Sequence, residues 1–98
     1  MTADVAPRLV QRMHPTDNVA TALRELPAGA FVTVDELTIT IDSVVPFGHK
    51  VALLAIPVGA PVLKYGEAIG LACADIAPGE HVHTHNVESQ RGRGDLHR

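Results

Sequence analysis

Four copies of one turn signal punctuate the chain and constrain what it can fold into. The pattern is apolar, Pro, any, Gly, any, any, Val. It reads LPAGAFV from Leu26, VPFGHKV from Val45 and IPVGAPV from Ile56, and a fourth copy, IAPGEHV from Ile76, has its proline one place later. Proline presets φ and glycine accepts the positive φ that other residues resist, so each copy reads as a tight turn that launches a strand. The turn glycines Gly29, Gly48, Gly59 and Gly79 are separated by 19, 11 and 20 residues, an irregular spacing that excludes a solenoid.

The segments between the turns read as short strands. Phe31 to Val34 and Leu37 to Ile41 are β-branched, and in the second Leu37, Ile39 and Ile41 alternate with Thr38 and Thr40, giving one buried and one wet face. Lys50 to Ala55 is nearly all apolar and reads as a strand buried on both faces. Val62 to Tyr65 and Ala68 to Ile76 follow, separated by Gly66-Glu67, and Leu9 to Met13 reads as a short edge strand. Val19, Ala22, Leu23 and Leu26 fall at i, i+3, i+4 and i+7 behind the N-capping residues Asp17 and Asn18. That spacing predicts one short amphipathic helix over Asn18 to Glu25, with a strand as the competitor. The expectation is a compact, mostly β fold with one short helix.

The strand signal after the fourth turn carries the chemistry. In GEHVHTHNVE the imidazoles His81, His83 and His85 fall at every second position, so an extended strand would set them on one face with Val82 and Thr84 on the other. Imidazole is a common ligand for zinc and late transition metals and titrates near neutral pH. The competing reading is a polar edge strand whose histidines merely alternate. Successive same-face side chains stand about 6.6 Å apart along a strand, so two can share one ion only if the strand bends or the rings lean together. Glu80, Asn86 and Glu88 are the nearby groups that could orient the rings. His49-Lys50, just after the Gly48 turn, forms a second candidate site. Lys50 could fix a substrate carboxylate or simply start a strand with its stem on the core. Tyr65 and Glu67 flank Gly66, a glycine that signals a bulge or a close backbone approach.

Ninety-eight residues make one domain, with residues 1–8 and 89–98 expected to be flexible. The chain is 46% hydrophobic without tryptophan, so its core must be aliphatic, and its size favours association with a partner or a second copy. A net charge of −3 offers no basic field for nucleic acid, and no apolar run approaches a membrane span. The start, MTADVAPRLV, shows no basic region followed by an apolar block, and the expected location is the cytoplasm. Cys73, the single cysteine, reads as a small core residue. In the tail, Arg91 and Arg93 suit an arm that orders on a partner, or a simple disordered end; His14 and His97 receive no role.

Several blocks in order carry a family resemblance: Asp17-Asn18-Val19-Ala20, Leu26-Pro27-Ala28-Gly29, Gly48-His49-Lys50-Val51-Ala52-Leu53, Lys64-Tyr65-Gly66-Glu67 with Ile69-Gly70, and Gly79-Glu80-His81-Val82-His83 with His85-Asn86. They resemble the SAF-type domain of altronate and galactarate dehydratases. The resemblance implies a β-clip fold and a hydro-lyase that dehydrates a sugar acid with a divalent metal, Fe2+ first and Mn2+ or Zn2+ as alternatives. It also implies that a separate large dehydratase subunit supplies the rest of the active site. The small subunit of sulfolactate sulfo-lyase is similar to the same blocks, and β-clip domains also serve as non-catalytic substrate-binding or assembly modules. Within this frame His81 and His83 are expected to hold metal. His83, His85 and Lys50 are expected to serve catalysis, and His49, Lys50, Tyr65 and Glu67 to contact substrate.

Overall fold

The computed structural model describes residues 8–89, which contain nine strands and no helix. They are β1 (Val10–Gln11), β2 (Val19–Ala22), β3 (Phe31–Val34), β4 (Leu37–Thr40), β5 (Lys50–Ala52), β6 (Pro61–Lys64), β7 (Glu67–Ala72), β8 (His81–Val82) and β9 (Val87–Ser89). An antiparallel sheet ordered β1-β2-β5-β8 forms the middle layer. The β3–β4 hairpin and the three-stranded β6-β7-β9 sheet complete the fold. The mostly β expectation therefore holds. What was expected of residues 1–7 and 90–98 lies outside the described residues.

The pleat of the middle sheet creates two cores. Val10, Ala20, Ala22 and Val51 join one cluster with Val32, Ile39 and Ile41 of the β3–β4 side. Val19, Ala52 and Val82 join the other, with Val62 and Ala72 of the β6–β7 side. Alternate residues of one strand thus feed opposite clusters, which is why Val51 and Ala52 are both fully buried.

The repeated motif is a structural repeat as well. Backbone bonds Ala30 N–H to Pro27 O, His49 to Pro46, Ala60 to Pro57 and Glu80 to Ala77 close four turns. Each turn has its glycine third, at φ between 85° and 92°. In the fourth turn Pro78 occupies the second position, which type II geometry also favours, so the displaced proline leaves the turn unchanged. Each turn glycine also donates its N–H to a neighbouring segment, at Ile41, Ala22, Ala72 and Ala52 respectively. Gly79 has a further constraint, because a β-carbon there would lie 1.9 Å from the Thr40 carbonyl oxygen. That approach fixes the start of β8 against the end of β4.

The helix over Asn18–Glu25 is replaced by β2, which pairs with β1 through Val10↔Ala22 and with β5 through Val19↔Ala52. Val19, Ala20 and Ala22 are all buried, as a strand covered on both faces requires, while Leu23 is exposed. Sheet pairing on both edges overrides the helical spacing. Two other strands stop early. The run from Lys50 ends at Ala52, leaving Leu54 exposed, and the run after Gly66 ends at Ala72. Cys73 is exposed and not a core residue, since the chain turns there and Ala72 and Ile76 fill the core on either side.

Candidate metal and substrate site

The three-histidine strand is also corrected. β8 ends at Val82, and the Asn86 side chain folds the chain back by accepting from His83 N–H at 2.9 Å and donating to His81 O at 2.9 Å. His81, His83 and His85 therefore do not stand in a row. The bend the sequence required for shared ligation is present, with the His81 and His83 ring centroids 5.5 Å apart.

The third member comes from the other turn. β5 and β8 pair antiparallel through Lys50↔Val82 and Val51↔His81. Continued by one residue, that register sets His49 opposite His83, and their rings stack at 4.2 Å between centroids. His49 Nδ1 lies 2.8 Å from His81 Nε2, a hydrogen bond in which one ring donates and the other accepts. One ring nitrogen from each of His49, His81 and His83 lies within 4.8 Å of the others. Two nitrogens on one ion at about 2.1 Å are about 3.4 Å apart, a value these spacings bracket, so the three half-buried imidazoles fit a divalent metal. Burial lowers the pKa of His81 from its ordinary value, helped by His49, His85, His83 and Lys50. His83 is lowered by desolvation, then by His49, Lys50 and His85. Both shifts favour the neutral imidazole that a metal needs. His85 is exposed and makes a tilted ring contact with His81, 5.3 Å between centroids.

The remaining candidates are distributed around this edge. Lys50 is half-buried and sits in the row Thr21–Lys50–Val82, which the pleat turns to the opposite face from His49 and His81. Desolvation, followed by the charge of Lys64, lowers its pKa. Tyr65 and Glu67 lie at the β6–β7 turn, both exposed, with no hydrogen bond or ring contact to the histidines among the described residues. Of the expected ring partners, Glu80 caps its own turn by accepting from Ala77 N–H, and Asn86 serves the backbone.

Sequence reasoning missed Asp17 and Asn18 as site builders by reading them as helix caps. The Asp17 carboxylate, fully buried, accepts from Tyr65 N–H at 2.9 Å and Gly66 N–H at 2.8 Å. The Asn18 amide donates to Pro61 O and accepts from Leu63 N–H. The available signal was residue type: Asp and Asn bond free backbone groups at any tight turn, including a distant one.

A small, mostly β domain whose turns gather imidazoles at one sheet edge is a module suited to metal-assisted or acid–base chemistry. Residues 8–90 match the family described as the altronate/galactarate dehydratase SAF domain, and the chain belongs to that family. It is 48% identical over 87 residues to altronate dehydratase of Escherichia coli (strain K12), covering 89% of this chain and 18% of that one. Altronate dehydratase of Bacillus subtilis (strain 168) is 37% identical over 80% of this chain and 16% of its own. The (2R)-sulfolactate sulfo-lyase subunit alpha of Paracoccus pantotrophus is 45% identical over 56 residues, 57% of this chain and 84% of that subunit. The chain thus spans less than a fifth of the length of the two altronate dehydratases. No helix among the described residues is long and apolar enough to cross a membrane.

Proposed function

We propose that this chain is the metal-carrying small component of a lyase that dehydrates a sugar acid of the altronate or galactarate type, completed by a large dehydratase polypeptide. The observation that carries the reading is the convergence of His49, His81 and His83. These three would hold the ion, ferrous iron in the first instance; when bound, it would polarise the substrate's carboxylate and hydroxyl. Dehydration removes the proton beside the carboxylate and expels hydroxide from the neighbouring carbon, so an acid must protonate the departing oxygen. His85, exposed at the rim with its ring 5.3 Å from that of His81, would move that proton. Lys50 supplies a positive charge at the edge, felt at both His81 and His83. The base belongs to the large component.

A second reading replaces water with sulfite as the leaving group. It is supported by the sulfo-lyase subunit alpha, of which this chain covers 84% and which is itself a subunit. The test is co-expression with a large dehydratase polypeptide, ferrous iron and three substrates: altronate, galactarate and (2R)-sulfolactate. His49→Ala, His81→Ala and His83→Ala should each abolish turnover while the complex survives gel filtration. Full turnover in all three variants would make the domain an assembly module instead.

A further inference from the structure

The β6–β7 hairpin ends in a tip built to hold one conformation. Tyr65 has φ 59°, a left-handed value costly for a side chain of its size, and Gly66 follows at 76°. A buried carboxylate grips both N–H groups of this tip, and Asn18 grips the strand leading into it. Beneath the tip the His14 ring comes so near that a β-carbon at Gly66 would lie 3.1 Å from it. So much fastening does not serve a buried contact, because Tyr65 is 63% exposed. What the tip presents is Lys64, its ammonium 5.3 Å from the Tyr65 ring centroid.

The pleat turns Lys50 towards the same side as this hairpin, since its row partner Val82 packs in the cluster that holds Val62 of β6. Lys64 ends β6, the strand whose Val62 packs in that same cluster. Neither lysine has a carboxylate partner among the described residues. Thr21 Oγ1, on the residue directly across from Lys50, is buried without a hydrogen-bond partner, so polar capacity there is unused. Two lysines on one side of the middle sheet, neither with a carboxylate partner among the described residues, form a site for an anion.

We propose that Lys64, presented by the tip that Asp17 and Asn18 hold, binds the carboxylate of the hydroxy-acid substrate together with Lys50. The proposal rests on the lyase reading above and adds to it a residue and its positioning groups. Because β8 is an edge strand of two residues, the long Lys50 side chain can act round that edge towards the histidine side. One carboxylate can then meet both ammonium groups while its hydroxyl lies at the histidines.

The experiment measures KM and kcat for galactarate and altronate in the co-expressed complex, with Lys64→Met, Lys64→Arg and His49→Ala compared side by side. Lys64→Met should raise KM about 10- to 30-fold with kcat nearly unchanged, the loss expected for one charge-assisted contact. Lys64→Arg should restore KM to within about threefold, and the rise of wild-type KM with salt should flatten in Lys64→Met. An inactive His49→Ala beside a Lys64→Met of wild-type KM would overturn this proposal and leave the lyase reading intact. Full turnover in His49→Ala, and likewise in His81→Ala and His83→Ala, would instead remove the histidine-site reading on which the proposal rests. As a second measurement, galactarate titrated into the 98-residue chain should move the Lys64 side-chain methylene resonances. Shifts at Lys50 and the histidines with Lys64 unmoved would also overturn the assignment.

Discussion

The β3–β4 and β6–β7 hairpins each turn on two residues at positive φ, Asp35-Glu36 at 49° and 79° and Tyr65-Gly66 at 59° and 76°. They lie on opposite faces of the same middle sheet and are fastened by different means. The first tip is tied by an ion pair, Arg12 Nη1 to Asp35 Oδ2 at 3.3 Å, in which Asp35 is 60% exposed. The second is gripped by the buried Asp17 carboxylate through two backbone bonds. Water competes freely for the first fastener and is excluded from the second, so similar hairpins should differ greatly in how firmly their tips are held.

The largest test removes the strong fastener. Asp17→Ala strands two N–H groups and deletes two charge-assisted bonds, which should cost about 3 kcal/mol. For a domain of this size that lowers Tm by more than about 10 °C, readable by circular dichroism. A drop of only a few degrees would mean that the two tips are held alike.

Changing pH loads the histidine edge that lies between the hairpins. His81 and His83 have pKa values below their ordinary 6.5, so in metal-free protein the unfolded chain takes up protons first as pH falls. Stability should therefore be full above about pH 6.5 and decline as pH drops through the depressed values. Tm measured from about pH 7.5 down to about pH 5 should fall, and His81→Gln should flatten the slope. A slope unchanged in the variant would assign the acid sensitivity elsewhere.

Much of this architecture was legible in the sequence because turns are local. The Pro-Gly copies marked all four tight turns, and the alternation of Leu37, Ile39 and Ile41 marked β4 together with its buried face. Failures came where distant pairing decides. Val19 to Ala22 has helical spacing, but β1 and β5 claim both its edges. His81 and His83 were legible as a pair, whereas the place of His49 beside them depends on the β5–β8 register, which no local pattern encodes. Asp17 shows the same limit, since its acceptors are filled by groups 48 and 49 residues away.

The next prediction relieves the backbone of each tip. Glu36→Gly and Tyr65→Gly both remove a side chain from the left-handed region, worth about 1 kcal/mol, and should raise Tm by about 4–8 °C. They should part company in the lyase assay. Glu36→Gly should leave turnover at the wild-type level, while Tyr65→Gly should raise KM a few-fold, because Lys64 loses the ring that its ammonium rests against. Equal KM values in the two variants would show that the Tyr65 tip is fastened for the fold alone.

The smallest effect is expected for Asp35→Asn. It deletes one charge of the exposed ion pair and keeps a residue type that tolerates positive φ, so the change should stay within about 0.5 kcal/mol. The Tm difference from wild type should shrink further in about 1 M salt, where exposed pairs are screened. Arg12 gives this variant its value, because its Nε also donates to the Asp17 carbonyl oxygen at 2.9 Å. One guanidinium thus touches the loop behind the strong fastener and the residue that forms the weak one. If Asp35→Asn costs little, Arg12 serves the Asp17 side and its pair with Asp35 is incidental. A loss approaching that of Asp17→Ala would mean that the β3–β4 tip steadies Arg12, which in turn steadies Asp17, so that the two hairpins are coupled through a single side chain.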